Sequence, residues 1–218
     1  MNKIYTGLFI ALSIVFIAST FFEPLSLSWL LKISPIAVLL TMSVPFAQSF
    51  KHKLFIAGLI FSSFGDIFLE VNRSQFFIYG LGSFFIAHVF YMISFSPLSN
   101  VFSSNNTNSK SQLFVILSFS VYGLVMFYYI QPGLGQLFLP VLIYMAVLML
   151  MGVFALLSKK TNLWLISGGI SFIISDSIIG IDKFYSPIPN AGVLIMISYY
   201  FAQFSLVRGM FFVTRDST

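Results

Sequence analysis

The sequence predicts an all-α integral membrane protein, a polytopic bundle of about eight transmembrane helices. Of the 218 residues, 58% are hydrophobic and only 8% are charged, whereas a soluble domain usually carries about 25% charged residues. The mean hydropathy is +0.98. The apolar residues also fall into runs close to the roughly 20 residues that a helix needs to cross the hydrocarbon core. This composition excludes a globular enzyme with a single membrane anchor.

Each apolar run is long enough for about one span, so we predict a single transmembrane domain over residues 1–218. The first run exceeds the ~7–15 residues of the apolar region of a signal peptide, which favours a spanning helix. The longest polar stretch, Asn100–Gln112, predicts a flexible loop. The predicted spans are residues 4–22, 29–47, 54–70, 76–96, 112–131, 135–157, 162–181 and 190–212.

Basic residues between the spans predict the orientation. With eight spans, seven basic residues fall on the side of the N-terminus and at most three on the other side. Because positive charge accumulates in cytoplasmic loops, we expect both termini in the cytoplasm of a bacterial inner or cell membrane. Orientation explains the net charge of +5, and we expect no nucleic-acid partner. The seven are Lys3, Lys51, Lys53, Lys110, Lys159, Lys160 and Arg215, and the three are Lys32, Arg73 and Lys183.

Two carboxylates lie inside apolar spans, Asp66 in the third and Asp176 in the seventh. Ionisable side chains are costly within a membrane and usually mark a functional site. The two helices run in the same direction, and a rise of about 1.5 Å per residue places both carboxylates at about the same depth. We therefore expect Asp66 and Asp176 to face one cavity, lined also by His88 and Tyr91 of the fourth span.

Small residues are concentrated in the third, fourth and seventh spans. Such residues let helices approach closely in a membrane, so these three helices are expected at the centre of the bundle. The small residues are Gly58, Ser62, Ser63 and Gly65, then Gly80, Gly82, Ser83 and Ala87, and finally Gly168, Gly169, Ser171 and Ser175.

Two long segments resemble a known family. AGLIFSSFGDIFLE followed by FFIYGLGSFFIAHVFY resembles the third and fourth helices of the YhhN-like membrane proteins, the lysoplasmalogenase family. ISGGISFIISDSIIGIDKFYSPIPNAGVLIMISYYFAQ is similar to the seventh and eighth helices of that family. Lys32 and Pro35 match the early Lys-Pro element of the family only in part. The motif positions of the family fall on Gly65, Asp66, Gly80, His88, Tyr91, Ser175, Asp176, Tyr199, Tyr200 and Gln203.

The resemblance implies hydrolysis of the vinyl ether bond of a lysoplasmalogen, giving a fatty aldehyde and glycerophosphoethanolamine or glycerophosphocholine. This reaction starts with protonation of a carbon and passes through an oxocarbenium ion, work that suits one protonated and one ionised carboxylate. We predict Asp66 and Asp176 as the catalytic pair, with no metal or cofactor. The expected partners are the lysophospholipid, water and the surrounding membrane lipid. The predicted substrate-binding residues are Lys32, His88, Tyr91, Ser175, Tyr199, Tyr200 and Gln203.

Other functions compete with this hypothesis. A small transporter or channel would use buried Asp and His side chains as a proton or ion relay, although the two halves of the chain show no internal repeat. A receptor or scaffold function is also less favoured, because the short loops offer little surface to a partner. A multi-histidine zinc site is excluded because the chain has no cysteine and only two histidines. One of them, His52, is predicted in a cytoplasmic basic turn.

The same residues have plain structural interpretations. Asp66 lies close to Glu70 and Arg73 in the sequence, and Asp176 has Lys183 as a possible partner. His88 is as well explained by a hydrogen bond to a neighbouring helix. Packing explains Tyr199 and Tyr200, and Lys32 fits an interface residue whose amine extends to the membrane surface.

Overall fold

A computed structural model describes residues 2–22, 27–95, 109–158 and 161–213. The predicted all-α membrane bundle is confirmed: these residues form eight α-helices and no strand. We number the helices in chain order. They are α1 (Lys3–Ser19), α2 (Ser28–Ser43), α3 (Phe50–Val71), α4 (Phe77–Phe95), α5 (Ser109–Ile130), α6 (Phe138–Leu157), α7 (Leu163–Phe184) and α8 (Ala191–Phe211).

Seven of these helices, α2 to α8, are long and apolar enough to cross a membrane. The first helix, α1, is apolar but has only 17 residues. The helix α3 begins four residues before the predicted span 54–70. The Ser49 hydroxyl accepts a hydrogen bond from the backbone N–H of His52, and this N-cap starts the helix at Phe50. His52 therefore lies in the first turn of α3 and not in a separate basic turn.

The predicted loop Asn100–Gln112 falls largely outside the described residues. Its last four positions, 109–112, are already helical, because α5 begins at Ser109. Three basic residues of the orientation argument, Lys159, Lys160 and Arg215, also lie outside the described residues. The connection from α5 to α6 consists of two short 3₁₀ turns, Gln131–Gly133 and Gly135–Leu137.

Proline interrupts the hydrogen bonding of α2 at one position. Pro35 lies inside the helix and has no N–H to donate to the carbonyl of Leu31, four residues earlier. The hydroxyl of Ser34 donates to that carbonyl at 2.8 Å and replaces the missing bond. The helix therefore continues past Pro35 to Ser43.

Glycines set the close contacts between neighbouring helices. The most extensive packing joins α3 to α4 and α7 to α8. A Cβ atom on Gly58 would lie 2.5 Å from the Tyr91 ring, and one on Gly65 would lie 2.6 Å from the Phe84 ring. On α4, a Cβ on Gly80 would lie 2.7 Å from Leu69. These glycines let α3 and α4 approach until side chains of the facing helix, two of them aromatic, fill the space of the missing side chains.

The most buried helix is α8, which the small-residue pattern did not identify. Of the residues in its membrane-spanning part, 56% are buried among the other helices, against 11% for α5. α8 packs against α7, α2, α1 and α3. The helices with the two carboxylates, α3 and α7, make little direct backbone contact. The polar side chains of α8 and α4 therefore determine what surrounds each carboxylate.

Two turns meet at one end of the bundle. Arg73, just after α3, lies 3.7 Å from the carboxylate of Asp182 near the end of α7. The other oxygen of Asp182 accepts a 3.0 Å hydrogen bond from the N–H of Ile188, in the turn that leads to α8. The α3–α4 turn and the α7–α8 turn therefore share this end, as the predicted common direction of α3 and α7 requires.

Candidate active site

Asp66 lies in the interior of α3 and is only 2% exposed. Its oxygen Oδ2 accepts a 2.6 Å hydrogen bond from the hydroxyl of Tyr199 on α8. Its other oxygen, Oδ1, lies 3.9 Å from the amine of Lys32 on α2. Three helices thus converge on one carboxylate, and a buried charge needs such compensation.

Lys32 is buried among the helices, and its amine is directed at the carboxylates of α3. Its amine lies 3.3 Å from Oε2 of Glu70, one helical turn beyond Asp66 on α3. Lys32 therefore bridges two carboxylates of α3. Its backbone carbonyl also accepts a 2.7 Å hydrogen bond from the hydroxyl of Tyr200, which fixes α2 against α8.

A chain of polar side chains extends from Asp66 through the core. The side-chain amide of Gln203 donates to the Tyr199 hydroxyl at 3.2 Å. The carbonyl oxygen of Gln203 accepts a 2.9 Å hydrogen bond from the Tyr91 hydroxyl, which lies 3.3 Å from the hydroxyl of Ser62. The amide of Gln203 thus connects two tyrosines, and each polar group is matched by another, as burial requires.

Asp176 has a separate set of partners. Its oxygen Oδ2 accepts a short hydrogen bond from the hydroxyl of Tyr144 on α6. Nε2 of His88 lies 3.4 Å from the same oxygen and 3.0 Å from the Tyr144 hydroxyl. The other ring nitrogen of His88, Nδ1, is buried and has no hydrogen-bond partner among the described residues. Because the hydroxyl of Tyr144 donates its hydrogen bond to Asp176, Nε2 of His88 is placed to donate a hydrogen bond to the oxygen of Tyr144.

Aromatic rings separate the two carboxylate clusters. The Phe172 ring lies 4.7 Å from the His88 ring, centre to centre, and 5.5 Å from the Tyr199 ring. The Phe84 ring lies 5.9 Å from the Tyr199 ring and 6.4 Å from the Phe172 ring. Phe84 and Phe172 therefore pack between the two polar clusters, which also contact each other directly where the His88 and Tyr91 rings lie 6.5 Å apart.

Asp176 and Tyr144 line a cavity of about 60 Å³ whose other walls, Phe84 among them, are mainly apolar. This volume exceeds the roughly 10–15 Å³ that one water molecule requires. A second cavity, of about 120 Å³, is lined by Lys32, Glu70 and other residues. Asp66, His88 and Tyr91, all among the described residues, line neither of these two cavities. The expectation that both carboxylates face one cavity is therefore not met by either cavity.

Two predicted substrate-binding residues make contacts between helices. The Ser175 hydroxyl donates a 3.1 Å hydrogen bond to the carbonyl of Ile195 on α8, and Tyr200 donates to the backbone of α2 as described above. Among the described residues, Asp176 is paired with His88 and Tyr144 and not with Lys183, whose amine lies 4.4 Å from the centre of the Phe77 ring. The predicted site residues therefore fall into three groups. One network contains Lys32, Asp66, Tyr91, Tyr199 and Gln203. His88 lies with Asp176, and Ser175 and Tyr200 contribute to helix packing.

Two residues of these clusters were missed in the sequence. Tyr144 is the only residue of α6 with a polar side chain group, within the run FLPVLIYMAVLMLMGVFALL, and that isolation was a usable signal. Glu70 was considered only as a sequence neighbour of Asp66 at the end of the third span, whereas on α3 its carboxylate contacts the amine of Lys32. Among the described residues, no group of three or more His, Cys, Asp or Glu side chains is placed to hold a metal ion.

Comparison with known proteins places this arrangement in a family. The model of the YhhN family matches residues 27–210, which include both carboxylates and all their partners named above. The chain belongs to the YhhN family. The recognition of this family from the polar residues of the third, fourth, seventh and eighth spans is thereby confirmed.

Two relatives of this YhhN protein are named lysoplasmalogenase. A Mycobacterium bovis protein named lysoplasmalogenase is 28% identical over 163 residues, covering 74% of this chain and 62% of the relative. The Bos taurus protein named lysoplasmalogenase TMEM86A is 32% identical over 157 residues, covering 67% of this chain and 60% of the relative. The chain thus spans about 60% of the length of the curated relatives it matches. No solved structure matches the chain.

Proposed function

We propose that this protein is an intramembrane hydrolase that cleaves the vinyl ether bond of lysoplasmalogens. The relatives named lysoplasmalogenase support the substrate class. The observation that carries the proposal is the position of Asp176, hydrogen-bonded to Tyr144 in a mainly apolar cavity inside the helical bundle. In the proposed complex the vinyl ether of the lipid lies at this cavity, where the carboxylate offers a proton donor and few polar groups compete.

The chemistry needs one group that donates and later recovers a proton. In the proposed reaction, the carboxylic acid of Asp176 donates its proton to the β-carbon of the vinyl ether, which leaves an oxocarbenium ion at the carbon bonded to oxygen. Water adds to that carbon, and its proton returns to the Asp176 carboxylate. The resulting hemiacetal transfers its hydroxyl proton to the glycerol oxygen as the C–O bond breaks. The products are a fatty aldehyde and glycerophosphoethanolamine or glycerophosphocholine.

Asp66 is proposed as the second carboxylate of the pair. Its negative charge favours the oxocarbenium ion electrostatically, and the mainly apolar surroundings strengthen that effect. Direct contact with substrate requires Phe84 to move, because this ring packs on Gly65, contacts Tyr199 and lines the cavity of Asp176. We infer that Tyr199 and Gln203 hold Asp66 in place, as Tyr144 and His88 hold Asp176.

We also propose that the chain has both termini in the cytoplasm. The basic residues Lys51 and Lys53 in the first turn of α3 support this orientation. The turn with Arg73 then faces the opposite side, together with the Asp182 end of α7.

A proton relay is the second candidate function. It is favoured by the hydrogen-bonded series from Ser62 through Tyr91, Gln203 and Tyr199 to Asp66. Proteoliposomes loaded with a pH-sensitive dye distinguish the two. A relay predicts proton flux that Gln203→Leu abolishes, whereas the hydrolase predicts no flux above protein-free vesicles.

Hydrolysis is tested with purified protein in nanodiscs and three substrates that have the same chain and head group. The first has the vinyl ether bond, the second a saturated ether and the third an ester. The proposal predicts aldehyde only from the first, detected by mass spectrometry together with the released glycerophospho-compound. Release of fatty acid from the ester, with no aldehyde from the vinyl ether, would contradict the proposal.

A further inference from the structure

The cavity lined by Lys32 and Glu70 lies at the end of the bundle where the α3–α4 and α7–α8 turns meet. Its charged lining consists of Lys32, Glu70 and Arg73, and Thr20 adds a hydroxyl. Its volume is about 120 Å³. No function assigned so far to the two carboxylates uses this cavity or Arg73.

We propose that this cavity binds the phosphate-bearing head group of the lipid whose vinyl ether lies at the cavity of Asp176. This inference rests on the proposed function for the identity of the lipid. It assigns Arg73 as the main phosphate contact and the amine of Lys32 as a second one. Glu70 then faces the positively charged ethanolamine or choline of the same head group.

Charge and exposure support Arg73 in this role. Its side chain is 42% exposed, and its guanidinium lies 3.7 Å from Asp182, longer than a good charge-assisted hydrogen bond. A phosphate group can therefore displace or join this contact without breaking a buried ion pair. Lys32 has three amine hydrogens, and its nearest oxygen, on Glu70, is 3.3 Å away. The cavity thus offers two cations and one carboxylate, a set that matches a zwitterion and not a simple anion.

The head-group cavity and the cavity of Asp176 are adjacent. Leu69 and Ile179 line both cavities and form the partition between them. Ile179 lies three residues after Asp176, on the same face of α7. In a lysoplasmalogen, the three glycerol carbons separate the vinyl ether oxygen from the phosphate. A lipid that crosses this partition therefore has its phosphate near Arg73 while the vinyl ether lies toward Asp176.

The test measures binding without hydrolysis, so that it does not depend on the proposed activity. Saturated-ether lysophosphoethanolamine, which resists cleavage, and the alkylglycerol with the same chain are titrated into protein in nanodiscs. We expect the wild type to bind the phospholipid at least about tenfold more tightly than the alkylglycerol, and Arg73→Gln to reduce that ratio about tenfold. Glycerophosphoethanolamine and inorganic phosphate serve as the soluble ligands, and we expect both to bind far more weakly.

Two matched variants separate phosphate binding from other effects of losing Arg73. Lys183→Gln removes the same charge near the same end of the bundle, from a residue outside the cavity. Asp182→Asn weakens the contact of Arg73 with Asp182 but keeps the arginine. We expect both variants to keep the wild-type binding ratio.

The outcomes distinguish the two proposals. If Arg73→Gln leaves the ratio unchanged, or Asp182→Asn lowers it as much, the head-group assignment is wrong even when the wild type cleaves vinyl ethers. If inorganic phosphate or glycerophosphoethanolamine binds as tightly as the lipid, the cavity is a site for a soluble phosphate compound. If the ratio depends on Arg73 but no vinyl ether is cleaved, the head-group site stands and the proposed activity falls.

Discussion

The hydroxyl of Tyr199 donates a 2.6 Å hydrogen bond to Asp66 across 133 positions of sequence. Tyr144 donates to Asp176 in the same manner from another helix. Each carboxylate also neighbours one basic side chain, Lys32 at 3.9 Å or His88 at 3.4 Å. The two clusters are similar in composition. Asp176 and its tyrosine line a cavity, whereas Asp66 lines neither of the two cavities described above, which gives the two pairs different expected roles.

Replacing either carboxylate by asparagine should stop turnover without unfolding the protein. Asn keeps an oxygen that accepts from Tyr144 or Tyr199, but it cannot donate a proton to carbon or carry a negative charge. We expect a loss of about 10²–10⁴-fold for Asp176→Asn and a smaller loss for Asp66→Asn. Turnover and melting temperature are measured on the same samples, with Asp182→Asn as the control. A lower melting temperature with activity reduced only in proportion would assign both residues to structure.

Removing the hydroxyl of Tyr144 tests whether it positions Asp176. Tyr144→Phe keeps the ring and removes one hydrogen bond to the carboxyl of Asp176, which is worth about 1.5–3 kcal/mol once that group has given up its proton and is charged. We expect kcat to fall about tenfold or more and the pH–rate profile to shift. Tyr128→Phe, at a position that is 69% exposed, is the matched control. An unchanged pH profile with normal turnover would show that Asp176 does not depend on this bond.

The glycines of α3 provide a packing prediction. Gly65→Ala places a methyl group 2.6 Å from the Phe84 ring, and Gly58→Ala places one 2.5 Å from Tyr91. Overpacking of this kind usually costs about 1–3 kcal/mol, so the melting temperature should fall. Gly82→Ala on α4 has nothing within 4 Å of the new Cβ and should be neutral or slightly stabilising. Equal effects at all three positions would mean that these contacts do not limit helix approach.

Much of the fold could be predicted from the sequence because the bilayer fixes the length of each apolar run. The two intramembrane carboxylates were also recognisable, since charge in such a run is costly. Their partners were not, because contacts such as Tyr144–Asp176 depend on which helices lie side by side. The rise per residue along two parallel helices predicted that Asp66 and Asp176 lie at the same depth. It could not predict that the rings of Phe84 and Phe172 pack between the two clusters.

Chelation should leave activity unchanged. The chain has no cysteine and only two histidines, and zinc sites normally use several such ligands. His52 lies at the start of α3, far along that helix from Asp66, and His88 is bound to Tyr144. The measurement is turnover after incubation with EDTA and removal of the chelator. Loss of activity that added zinc restores would require a different mechanism.

The orientation is testable by single-cysteine labelling, which is direct because the chain has no native cysteine. Gln48→Cys and Ser74→Cys place thiols at exposed positions just before and just after α3. With both termini in the cytoplasm, a membrane-impermeant maleimide should label Ser74→Cys in intact cells and label Gln48→Cys only after lysis. The reverse pattern would invert the proposed topology.

The central claim is that Asp176 donates a proton to the β-carbon of a vinyl ether. Hydrolysis of a lysoplasmalogen in D₂O measures that step directly, because the proton acquired by carbon is retained in the product. We predict that the wild-type protein releases fatty aldehyde with one deuterium on the carbon next to the carbonyl, and that Asp176→Asn releases about 10²–10⁴-fold less of it. Aldehyde without deuterium, or equal yields from the wild type and Asp176→Asn, would contradict the claim.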